Sequence, residues 1–275
     1  MEDVSTSSVG EATVRPGRFP RSYLTRRSYL GTARAVGVLF IVGTVSGIVS
    51  GTIVAPYLTP ASAAPQYLSQ LSTGGIQMQL GAFFVFLMGL SLALIPVLLY
   101  PLLKRYSEPV AVGYLVFRAA IEFVLYLSIV GILLTILAIG RESTITGASA
   151  AGAYDSILAL LAGYDVVYGV LLTLVFALGA LFLYVALYRT ALIPRWLAAW
   201  GLLAALLWLV WGGVGLFGLV DPAATVQVGV SLPVESVFAL PIALQEMVMA
   251  LWLLVRGFDG EAVDALGSAE AVSVR

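Results

Sequence analysis

The chain has 275 residues, of which 60% are hydrophobic and 11% charged, with a formal net charge of −1. A domain that faces water carries about 25% charged residues, so most of this surface faces lipid instead, and the net charge gives no reason to expect nucleic acid. Cysteine and histidine do not occur, which excludes disulfides, thiolate catalysis, iron–sulfur clusters, zinc fingers and histidine-bound haem; no cofactor and no metal site are expected.

Residues 1–33 are polar, with Arg15, Arg18, Arg21, Arg26 and Arg27, and read as a flexible basic tail. The first apolar span covers 35–54, directly after Arg34. Ala61-Ser62-Ala63 looks like a signal-peptidase site, but an apolar run of about 20 residues exceeds the roughly 7–15 of a secretory leader, so an uncleaved helix is expected. No charge falls between Ala35 and Leu103. That stretch is too long for one helix, and Pro56, Pro60, Pro65 and Gly74-Gly75 divide it into a span, an uncharged outer loop over 55–78 and a second span over 79–100.

Lys104, Arg105, Glu108 and Pro109 make the next turn, and the third span runs over 110–139, longer than a bilayer requires. A loop with Arg141 and Glu142 leads to the fourth span, 157–188. Arg189 to Arg195, with Pro194, turn the chain into the fifth span, 196–220. A loop with Asp221, Pro222, Pro233 and Glu235 precedes the sixth, 237–255, and an acidic tail follows over 257–275. The expected fold is an all-α integral membrane protein, with six transmembrane helices in one bundle over 34–256.

Basic residues set the orientation. Of 14, the N-terminal arginines, Lys104, Arg105, Arg189, Arg195, Arg256 and Arg275 make 12 on one side, Arg141 is opposite, and Arg118 lies inside a span. The expectation is a multi-pass protein of the cell membrane with both termini cytoplasmic.

Three charged residues fall inside spans. Arg118 and Glu122 are four residues apart, on one helix face. Counting about 1.5 Å per residue from the span ends puts Arg118 about 12 Å deep, Glu122 about 18 Å and Glu246 about 15 Å, all near the middle of a core about 30 Å thick. Each would cost about 2.5–3.5 kcal/mol facing lipid, so helices three and six are expected to touch, with Arg118 reaching both glutamates. Tyr114 and Tyr126 extend that face at four-residue spacing, and Gln245 adds an amide. Two ionised glutamates would leave the cluster at −1, which calls for a proton or a cation. A fixed ion pair that sets helix register is the competing reading. Asp165 falls near the outer interface, as a candidate outer mouth or a solvated helix start. The runs Gly43-Gly47-Gly51 and Gly212-Gly213-Gly215 read as close-packing positions.

Several activities are excluded. The one lysine, Lys104, lies in a turn, so a retinal Schiff base has no amine in mid-span. Neither Ser91 nor Ser128 has a histidine or intramembrane lysine to activate it. No phosphate-binding or dinucleotide fingerprint stands in a suitable setting.

The segments 31–37 (Gly-Thr-Ala-Arg-Ala-Val-Gly), 99–104 (Leu-Tyr-Pro-Leu-Leu-Lys), 117–122 (Phe-Arg-Ala-Ala-Ile-Glu), 188–195 (Tyr-Arg-Thr-Ala-Leu-Ile-Pro-Arg), and Gln245-Glu246 with 251–257 (Leu-Trp-Leu-Leu-Val-Arg-Gly) occur in this order. Together they resemble the domain of unknown function 4386 family of prokaryotic multi-span proteins, over about 31–258. The resemblance implies that the Arg-x-x-x-Glu pair and the late Glu are typical polar marks, matching Arg118, Glu122 and Glu246. Members commonly show Gly-Glu where this chain has Gln245-Glu246, and often a histidine in the fourth span, which this chain lacks. No activity comes with the family. Binding or transport of a small molecule, proton or ion through the Arg/Glu cluster is the first reading. The second is an accessory or assembly subunit that meets a membrane-protein partner or its own copy, with the cluster purely structural. A membrane enzyme using carboxylates alone ranks third.

Overall fold

The computed structural model describes residues 26–60, 63–146, 149–220, 225–227 and 231–273. The arginines of the basic tail up to residue 21, Asp221, Pro222 and Arg275 lie outside them. In chain order the elements are α1 (Arg26–Leu58), α2 (Ala64–Thr73), α3 (Gly75–Tyr106), α4 (Glu108–Tyr114), a π-helical segment (Leu115–Ile121), α5 (Glu122–Thr146), α6 (Ala150–Asp165), a second π-helical segment (Val166–Leu172), α7 (Thr173–Thr190), α8 (Arg195–Leu216), two short strands β1 (Thr225–Gln227) and β2 (Ser231–Pro233), α9 (Val234–Val255) and α10 (Gly260–Ser273). Helices α4 and α5 with the π segment between them form one continuous third span, and α6 with α7 the fourth.

Among the described residues six helices are long and apolar enough to cross a membrane, and the chain is a multi-pass membrane protein of the expected six-span class. The helices overrun the apolar runs from which they were expected, except at the end of the fifth. There the helix stops at Leu216, and Gly218 takes a positive φ of 60° to turn the chain. The uncharged stretch after α1 holds α2, with Pro65 in its first turn and Gly74 at its C-cap, the asymmetry expected at helix ends.

The spans pack in sequence order around a ring. α1 lies against α3, α3 against the third span, α4 against α7, α7 against α8, α8 against α9, and α9 returns to α1. Close approaches make this possible. A Cβ on Gly37 would stand 2.7 Å from the Ala250 carbonyl oxygen, and one on Gly43 2.9 Å from the Leu92 side chain. Gly47 is equally tight against Met88, and Gly212 against Leu174, whereas Gly51 and Gly213 face open space; the small-residue runs are therefore packing positions only in part. Exposed Val45, Ile48, Phe83, Val124, Leu203 and Leu244 give the outside its apolar surface, as lipid requires.

The start of α1 and the end of α9 share one end of the ring. Arg34 donates to the Leu254 carbonyl at 3.3 Å, and Arg105 to the Tyr29 hydroxyl at 2.7 Å. We call this the terminal end, and the other the distal end. The third and fourth spans, 36 and 41 residues long, are about 54 and 61 Å at 1.5 Å per residue, nearly twice a bilayer core. Their surplus meets α2 in a distal cap, where Tyr67 donates to the Tyr57 carbonyl at 2.6 Å and packs edge-on against Tyr154. Burial pushes the Tyr67 hydroxyl up to about 12, with the neighbouring Tyr154 adding to the effect.

Candidate functional site

A π turn spends an extra residue per turn and is marginal by itself, so it persists where a side chain needs aiming. The first of the two carries Arg118 and ends where Glu122 begins α5. Gly179 on α7 faces Phe117 and Arg118 at ordinary contact distance, which lets the fourth span lie close beside this segment.

Arg118 Nη1 donates to both Glu122 oxygens at 3.0 Å, and Nη2 donates to Glu246 Oε1 at 3.3 Å. The guanidinium carbon lies 4.3 Å from the centre of the Phe176 ring, a cation–π contact. Arg118 and Glu122 are 2% and 0% exposed, Glu246 8%. The three-residue cluster expected from the sequence therefore forms. The third and sixth spans occupy opposite positions in the ring and meet through these side chains across its interior.

Gln245 and Tyr114 take a different place. Gln245 accepts from the Tyr184 hydroxyl at 2.5 Å and donates to the Leu197 carbonyl at 3.1 Å, so its amide ties the fourth, fifth and sixth spans together. The Tyr114 hydroxyl is buried and makes no hydrogen bond among the described residues. Tyr126 is on the other side of the cluster, where it lines a cavity.

That cavity measures about 240 Å³ and draws its wall from all six spans, from Gly43 and Thr44 on the first to Glu246 on the sixth. Its charged lining residues are Glu235 and Glu246. Between them Ala239, Ile242 and Ala243 also face it, and the offsets of four, seven, eight and eleven residues trace one stripe of α9. The second π segment contributes Tyr168 and Leu172, and α8 contributes Trp208. A second cavity of about 610 Å³ shares Tyr168 and Glu235 as walls and is bounded by Asp165, Gly218 and Val220 toward the distal end. Asp165 thus stands in the wall of the distal cavity. Sequence reading left Glu235 in a loop and did not single out Tyr168 or Phe176. The stripe of two carboxylates flanking two alanines on one helix face was the signal that would have found Glu235.

Fold and site together define a multi-pass helical membrane protein with an ion-paired interior and a cavity beside it. The sequence model described as Domain of unknown function (DUF4386) matches residues 35–257, and the chain belongs to that family. No curated protein and no solved structure matches it.

Proposed function

We propose that this protein binds a small solute inside the ring and exchanges it with the distal side, as a transporter or solute-binding membrane protein does. The observation that carries this reading is that the two cavities adjoin, with common residues in their walls. They share Tyr168 and Glu235, and the inner one ends on Glu246, the least buried member of the Arg118 cluster. Intramembrane ionisable residues that meet a cavity mark solute and ion pathways far more often than they serve packing alone. An assembly subunit calls for a filled interior, so the cavity favours the solute reading. In this reading Glu246, Arg118 and Glu122 form the ligand site, with Tyr126 on its wall, Asp165 at the mouth, and Gln245 and Tyr114 in support.

The basic residues support a sidedness. Arg34, Lys104, Arg105, Arg189, Arg195 and Arg256 gather at the terminal end, with Arg141 at the distal end, the pattern expected of a cytoplasmic terminal end. The protein belongs in the cell membrane in this reading, with both termini inside and the cavity facing out.

The chain has no cysteine, so single cysteines report access directly. Ala239→Cys and Ala243→Cys in intact cells react with a membrane-impermeant methanethiosulfonate, while Ala250→Cys, 0% exposed, does not. Cavity positions that stay unreactive from both sides, or react only from the cytoplasmic side, overturn the reading.

A further inference from the structure

We infer that the interior site takes a small organic cation, with its ammonium group at Glu246 and an apolar or aromatic body along the α9 stripe; this rests on the solute reading above. Charge is the first argument. Every charged side chain in the inner wall is acidic, and Arg118 is not part of that wall. Its guanidinium is held by Glu122 through two hydrogen bonds and by Glu246 through one, and Phe176 stacks over it. An incoming anion would meet Glu246 first, with the Arg118 guanidinium behind it and already drawn to the two glutamates. A cation meets the Glu246 carboxylate directly.

The wall then selects among cations. Calcium or magnesium needs about six or more oxygen ligands, whereas Met88, Leu92, Phe176 and Ile242 line the cavity with Glu246. Glu235 cannot complete such a shell, since eleven residues along α9 separate the two carboxylates by about 16 Å. Aromatic faces suit an alkylammonium instead, and Tyr126, Tyr168 and Trp208 supply them. Size agrees. An apolar cavity of about 150 Å³ is enough for benzene, so about 240 Å³ accommodates one ring and a small ammonium group. Glu235, common to both cavities, draws the same charge inward from the mouth.

The test uses the full chain purified in detergent and three probes of one shape class: benzyltrimethylammonium, benzyl alcohol and phenylacetate. Calorimetric titration should give benzyltrimethylammonium an affinity about tenfold or more above benzyl alcohol, with phenylacetate not binding. Glu246→Gln should abolish that preference. Ala243→Trp, which fills the cavity and leaves the ion cluster in place, should abolish binding of benzyltrimethylammonium even if Glu246→Gln fails to fold. Equal binding of cation and alcohol, or preference for phenylacetate, overturns the cation assignment. So does absence of all binding while Ala243→Cys remains reactive from outside, a result that leaves the solute reading standing. Loss of that reactivity brings down both.

Discussion

The two halves of the ring interior are built on opposite plans, and the boundary between them falls between two consecutive residues of α9. On one face of α9 Gln245 is tied to Tyr184 and to the Leu197 carbonyl, and a Cβ on Gly201 would collide with the Tyr184 ring. On the next face Glu246 gives one oxygen to Arg118 and lines the cavity. Neighbouring residues on a helix point about 100° apart, so one helix serves a sealed half and an open half at the same depth. A polar residue inside a bundle is thus not by itself a sign of a pathway. What it bonds to decides.

That contrast can be broken most forcefully at its shared element. Arg118→Met leaves Glu122 and Glu246 facing each other without a cation, and removing one partner of a buried pair costs about 3–5 kcal/mol. The expected outcome is loss of monodisperse protein on size exclusion in detergent, with Glu122→Gln and Glu246→Gln added together restoring part of it. The two glutamates should then separate. Glu122 accepts two of the three Arg118 bonds and is fully buried, so Glu122→Gln should lower thermal stability by about 1.5–3 kcal/mol. Glu246→Gln, which loses one longer bond, should cost less. Equal losses would show that the open half is not open.

Volume sharpens the comparison next. Gly201→Ala overpacks the sealed half against Tyr184 and should destabilise by about 1–3 kcal/mol. Ala239→Leu projects into the cavity and should be close to neutral in thermal unfolding. The smallest effects come from two tyrosines of the sealed half. Tyr184→Phe leaves the Gln245 carbonyl without its donor and should cost about 1 kcal/mol, whereas Tyr114→Phe removes a hydroxyl that bonds nothing among the described residues and should be neutral or mildly stabilising. A larger loss at Tyr114 than at Tyr184 would reverse their assignment.

The spans were legible because each is an apolar run of bilayer length, and Arg118–Glu122 because four residues make one helical turn. Glu246 was placed by depth alone, which works when a span lacks other charges near its middle. Gln245 read as a site amide because sequence carries no sign of which way an amide turns; Tyr184, the partner that turns it, lies 61 residues away. The π segments were not legible. Leu115–Ile121 and Val166–Leu172 contain no proline, and their sequences serve an α-helix equally well. Glu235 was missed because Pro233, two residues earlier, suggested a loop, whereas Pro233 caps α9 and puts Glu235 in its first turn.

Ring connectivity in sequence order also sets a calendar for synthesis. Each of the first five spans can pack against its predecessor as it emerges, but the circle closes only when α9 seats its Ala250 carbonyl against Gly37 on α1. Until that last helix arrives, Arg118 and Glu122 wait in the bilayer as a self-contained neutral pair. The second carboxylate therefore reaches the arginine only at closure.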